Sequence, residues 1–209
     1  ALMSLVPGWL ITNAIRDIIF GDTNSGMNRI VQVFLIAAAL VLGTGSAWKA
    51  LSSILTVPIM PEAASPSDLI SCLAAFVGCF GFLFLYNNHG YGGILCALGG
   101  ALSWAVWALV HRFSQDELLA YFCAAVFGAL YSEIMARIRK YPAFSYQVIS
   151  LFPLIPGAAI YYATSHLVLG DLPAFWERLK QAISIAGVLA VGILLVSTTF
   201  RFLSDYKRK

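Results

Sequence analysis

The chain has 209 residues, of which 60% are hydrophobic and 11% charged, with a formal net charge of +3. Soluble globular chains run at roughly 45–50% apolar and 25% charged, so a water-soluble enzyme, a disordered chain and a fibrous chain are all excluded. The basic residues sit in loops rather than in a stripe, which excludes nucleic acid as a partner. Apolar runs of about 20 residues rise about 30 Å as helix and match the hydrocarbon core of a bilayer. The composition therefore describes an all-α, polytopic helical membrane protein.

Seven apolar segments follow in chain order, at 1–20, 30–48, 69–86, 91–111, 118–136, 144–169 and 181–203. The first opens at Ala1 inside an apolar run with no charged leader, as expected of a cut rather than a natural beginning. After the second segment, 56–68 holds Pro58, Pro61 and Pro66 and reads as a linker, with Ser67 or Asp68 capping the next helix. It divides the chain into 1–55, the last two helices of one repeat, and 69–209, a second repeat of five segments.

Cys72, Cys79, Cys96 and Cys123 all lie in apolar runs, without C-x-x-C spacing or histidine at metal-ligand spacing. They read as small packing residues, and neither a metal nor a cofactor is expected. Gly92, Cys96 and Gly100 form a small-residue row, as do Ala124 with Gly128, and Ala182, Ala186 and Ala190. Such rows let helix backbones approach closely in lipid.

If each segment crosses once, Arg29, Arg137, Arg139, Lys140, Arg201, Lys207, Arg208 and Lys209 share one side. Lys49, Arg112, Arg178 and Lys180 take the other. The excess of basic residues places the C-terminus in the cytoplasm, with Lys207, Arg208 and Lys209 as an anchor. Glu133 stands four residues before Arg137 and reads as a surface ion pair; His111 and His89 read as interfacial.

The most informative feature is an internal repeat. Residues 5–43 align without gaps to 154–192 at an offset of 149, with identities that include Leu5, Pro7, Gly8, Ile11, Ala14, Gly21, Asp22, Arg29, Gln32, Ala37, Leu40 and Gly43. Chance matching of leucine and alanine does not hold P-G and G-D at one separation in both copies. The second unit has five segments and the first only its last two. About three further helices are therefore expected upstream, from another polypeptide or from the uncut chain, making about ten in all. An odd number of crossings per unit would make the repeats inverted, the plan of many secondary transporters.

Segment 144–169 carries Pro153, Pro156 and Gly157 near its middle, which favours a true break over a bend. A break leaves the first amides of a half-helix at 158–161 unpaired, at the positive end of its dipole. Pro7–Gly8 implies the same at 9–12. Two such starts approaching mid-membrane from opposite sides would offer donors to a carboxylate. Beyond the breaks, Asn13, Arg16 and Asp17 share one helix face, and their counterparts are Tyr162, Ser165 and His166; Thr12 corresponds to Tyr161. The alternative for Arg16 and Asp17 is mutual pairing or snorkelling near a helix end, and for His166 a structural hydrogen bond. Asp22 and Asp171 follow a glycine after each half-helix and read as a helix stop and then an N-cap.

The run at 5–22 (L-V-P-G-x-x-x-x-N-A-I-R-D-I-I-x-G-D) resembles the end of the first membrane domain of threonine/serine exporters. F-G-F-L-F-L-Y-N at 80–87, and L-I-P-G-x-x-x-Y at 154–161 with Gly170–Asp171, resemble their second membrane domain. The resemblance implies about ten helices and export of L-threonine and L-serine driven by the proton gradient; some two-polypeptide relatives are associated with succinate export. The chain departs from the family in lacking the N-terminal domain and the first three helices.

These readings combine into an inner (plasma) membrane exporter without catalytic residues. Pro7, Gly8, Thr12, Asn13, Arg16, Asp17, Pro156, Gly157, Tyr161, Tyr162 and Ser165 are the expected substrate-binding positions, and Asp17 or His166 the proton carrier. A dicarboxylate exporter on the same scaffold and a non-transporting assembly subunit stay open, as does a homo-oligomer. The expected partners are a small amino acid or carboxylate and the lipid bilayer.

Overall fold

A computed structural model of the chain describes residues 8–54, 67–85 and 91–206. Among them every regular element is helical: α1 (Gly8–Ile19), α2 (Thr23–Ile54), α3 (Asp68–Leu85), α4 (Tyr91–Ser114), α5 (Glu117–Arg139), α6 (Ala143–Ser150), α7 (Gly157–Leu169) and α8 (Leu172–Tyr206). A single 3-10 turn, Phe152–Leu154, lies between α6 and α7. By length and composition Thr23–Gly43, Tyr91–Ser114, Glu117–Arg139 and Leu172–Leu203 can each cross a membrane. The run from Ala143 to Leu167, bent by 43° at its break, is either a fifth, broken span or a re-entrant loop.

Seven full spans are therefore not seen among the described residues. The part of α1 described, 12 residues from Gly8 on, rises about 18 Å and the 18 residues of α3 about 27 Å, against a hydrocarbon core about 30 Å thick. The segments expected at 30–48 and 181–203 are parts of longer helices of 32 and 35 residues. Hydropathy missed their polar first turns, because helix there is set by the preceding corner rather than by an apolar face. Pro7, the linker at 56–66, His89 and the Lys207–Lys209 anchor lie outside the described residues.

The corner is the same in both copies. Gly21 (φ +91°) and Gly170 (φ +81°) take the left-handed conformation that ends a helix. The Asp22 N–H donates to Asp17 O at 2.9 Å, and the Asp171 N–H to His166 O at 2.9 Å. Each aspartate then accepts from the amide three residues on, Ser25 to Asp22 Oδ1 at 3.3 Å and Ala174 to Asp171 Oδ1 at 3.3 Å. Stop and cap thus occupy one dipeptide, as its composition suggests.

The chain packs as two compact units, residues 1–65 with 156–186 and residues 66–155 with 187–209. This grouping follows packing, whereas the division at 56–68 follows chain order. In the first unit α1 lies on α2, and α2 on α7. Its core is made of Ile11, Val33, Ala37, Ile160, Ala182 and Ala186, which are three pairs at the offset of 149. Leu10 and Ala159, also counterparts, pack beside them.

In the second unit α4 lies between α3 and α5, with α6 on α4 and α5. Its core holds Cys79, Leu83, Cys96, Ala97, Ala136, Tyr146 and Ile149. The small-residue rows do the packing: Cys96, Gly100, Ala124 and Gly128 are buried, and only Gly92 is half-buried. Ser103 Oγ points at Gly128, where a Cβ would lie 2.7 Å from it. That Cβ would also lie 2.6 Å from Leu151 Cδ2, so both side chains would have to shift to admit it.

Candidate functional site

The break in segment 144–169 is present. α6 ends at Ser150, Ile155 is extended (φ −66°, ψ 129°), Pro156 has φ −76° and ψ 46°, and α7 begins at Gly157. Pro153 and Pro156 have no N–H to donate, so the helical ladder cannot pass through them. Pro156, at the N-cap, has no side-chain acceptor and makes no capping bond to the first amides of α7. The positive end of the α7 dipole thus receives no cap from its own N-cap residue. In the other copy Gly8 opens α1 and is buried; what precedes it lies outside the described residues.

Beyond these starts, α1 carries two buried polar side chains. Thr12 Oγ1 donates to Gly8 O at 3.4 Å, and Asn13 Nδ2 to Trp9 O at 3.1 Å. On α7 the buried hydroxyl is Thr164, which donates to Ile160 O at 2.9 Å. Sequence reasoning missed it, because Thr164 aligns with an apolar residue, Ile15. Tyr161 is half-buried beside the first unit's core. Its ring meets Tyr162 edge to face at 5.7 Å between centroids. Tyr162 is itself 45% exposed whereas its counterpart Asn13 is 8% exposed, so the two faces expected to correspond are not buried alike. Ser165 is half-buried.

The charged residues are arranged differently in the two copies. Asp17 pairs with Arg29 on α2, Nε to Oδ2 at 2.9 Å. The contact is an ion pair and not an aligned hydrogen bond, since Asp17 Oδ2 is buried with no donor in hydrogen-bonding geometry. Arg16 lies over the Phe20 ring at 5.7 Å. In the second copy His166 takes the place of Asp17, and its Nδ1 lies 3.4 Å from Asp171 Oδ2. Arg178, the counterpart of Arg29, turns instead to Gln181 Oε1 at 3.1 Å. The first unit therefore holds a carboxylate–guanidinium pair at one corner and an imidazole–carboxylate pair at the other.

In the second unit Glu133 and Arg137 form the expected ion pair at 2.5 Å, with Arg137 also 4.2 Å from the Phe200 ring centroid. His111 stacks on Trp107 at 5.0 Å, and Trp107 on Trp104 at 4.8 Å. Ser103, Ser132, Ser150 and Gln147 are buried. Ser132 is satisfied within its own helix by Gly128 O at 2.7 Å. Among the described residues no group of three His, Cys, Asp or Glu side chains is placed to hold a metal ion.

A family model described as threonine/serine exporter, ThrE, matches residues 71–199. A second threonine/serine exporter model matches residues 1–51. No curated protein and no solved structure matches the chain. The family matches agree with a helical membrane chain whose half-helix is broken at P-G, and the chain belongs to the threonine/serine exporter family.

Proposed function

We propose that this protein is a secondary exporter of small hydroxy amino acids, L-threonine and L-serine, driven by the proton gradient across the plasma membrane. The family match over residues 71–199 carries the reading. The uncapped start of α7 at Gly157, with Pro156 before it, would take the substrate carboxylate; Gly8 and Pro7 would do so in the other copy. Thr12 and Asn13 on α1, with Tyr161, Tyr162 and Ser165 on α7, supply donors and acceptors for a hydroxyl group. Asp17 would meet the ammonium, and Arg16 would balance a second carboxylate.

Asp17 and His166 are counterparts, and each sits beside an opposite or proton-sharing partner, Arg29 and Asp171. Either exchange of partner moves a proton or a charge at the corner, which is the requirement of a proton-coupled carrier. The C-terminus lies in the cytoplasm on the count of basic residues.

The test is efflux of labelled serine and threonine from vesicles holding the complete transporter. Collapse of the pH gradient should abolish net export, and Asp17→Asn should lower flux about tenfold or more. Flux unchanged in both Asp17→Asn and His166→Ala overturns the assignment. Succinate that competes with threonine for export would make the substrate a dicarboxylate.

A further inference from the structure

Gly43 and Gly192 are counterparts in the repeat, yet they stand in opposite surroundings. A Cβ on Gly192 would lie 3.0 Å from Ala125 Cβ and 3.4 Å from the Val126 backbone nitrogen, so α8 runs here against the backbone of α5. Among the described residues a Cβ on Gly43 would meet nothing within 4 Å.

The contrast recurs at two other positions near this side of the helix, although Leu40 between them packs against the core. Ile36, Gly43 and Ala47, spaced i, i+7, i+11, share one side of α2 and are all exposed. Ile185 and Gly192, the counterparts of the first two, are buried, as is Val196 at the same offset beyond the aligned stretch. The isoleucine is the same residue in both copies, yet it is 39% exposed at 36 and 3% at 185.

An apolar face turned to lipid needs no partner, so exposure alone decides nothing. What bears on it is the pairing in the repeat. Gly43 aligns with a glycine that does meet a second backbone, an approach that offsets the propensity penalty of glycine inside a helix. The open Gly78 and Gly81 have no such counterpart among residues 1–209. In α8 that backbone is α5, through the side that buries Ala120, Ala124 and Ala125.

We propose that the Ile36–Gly43–Ala47 face of α2 is the docking surface of a transmembrane helix lined with alanine and glycine, the first-repeat counterpart of α5. The α5 of a second copy is poorly suited to the role, because its alanine side is already covered by Gly192 of its own chain. The argument rests on the repeat and is independent of what the protein carries.

The experiment places a photo-crosslinking amino acid at Leu42, which borders this face, in the natural protein in its own membrane. Expected is an adduct to an apolar peptide outside residues 1–209 that carries Ala, Gly or Ser at every fourth position. Gly43→Leu should lower its yield about fivefold, while Gly78→Leu, at another glycine with open space around it, leaves it unchanged. If Gly43→Leu fails to insert, Gly43→Val serves with a smaller drop. Adducts to lipid alone, to a second copy of residues 1–209, or to a peptide without small residues overturn the proposal, as does a yield indifferent to position 43.

Discussion

Asp17 shows what a single side chain does and does not disclose. Its place one turn beyond Asn13 was legible in the 3.6-residue period, and so was the need for a partner, since an isolated charge in lipid is costly. The partner was not. Arg16 is adjacent in sequence, but Arg29 reaches Asp17 because the corner at Gly21 folds α2 back along α1. Thr164 was hidden for a related reason: burial of a hydroxyl depends on which face a neighbour covers, and no local pattern marks it.

Glycines make the same point in energy. A Cβ at Gly26 would come 2.5 Å from Ile18 Cγ1 and 2.8 Å from Ala14 O, whereas one at Gly81 meets nothing within 4 Å among the described residues. Gly26→Ala should therefore destabilise by about 1–3 kcal/mol through overpacking. Gly81→Ala should stabilise by up to about 1 kcal/mol through helix propensity. Thermal unfolding of both variants in micelles checks this, and equal shifts would mean that α1 and α2 do not approach as described.

At the scale of elements, the features read from sequence are those that local chemistry dictates. Proline without a donor breaks the run before α7. Glycine tolerates positive φ at each corner, and aspartate caps the helix that follows. The full lengths of α2 and α8 were not legible, because their polar first turns resemble loop until the Asp22 and Asp171 caps are counted as helix starts.

The corners carry their own prediction. At Gly21 and Gly170 alanine must adopt a left-handed backbone at a cost of about 1–2 kcal/mol, though a Cβ at either position meets nothing within 4 Å. Gly21→Ala and Gly170→Ala should each lower the unfolding free energy by that amount. Gly21→Asn and Gly170→Asn should lose less, since asparagine tolerates this conformation better. Urea titrations that rank alanine above asparagine would contradict the corner geometry.

Across the whole molecule, the first unit's core is the repeat seen in space: Ile11 with Ile160, Val33 with Ala182, Ala37 with Ala186. Chain order alone showed the alignment but not that the counterparts share one core. The one pair of unequal size is Val33 and Ala182, which differ by two methyl groups. Val33→Ala should cost about 1–3 kcal/mol. Ala182→Val alone should cost about 1–3 kcal/mol through overpacking. The double exchange, which conserves volume, should cost less than the sum of the two. Additive losses in thermal unfolding would show that these positions do not share one core.

The naked start of α7 has a practical corollary. Whatever a run of main-chain amides holds, it holds without the help of any side group, and so a survey that trims residues to alanine one by one would leave those donors in place. Such a survey would score the segment as dispensable. Only chemistry that alters the peptide link, such as replacing an amide by an ester at Ala158, would reveal what the opening of this helix contributes.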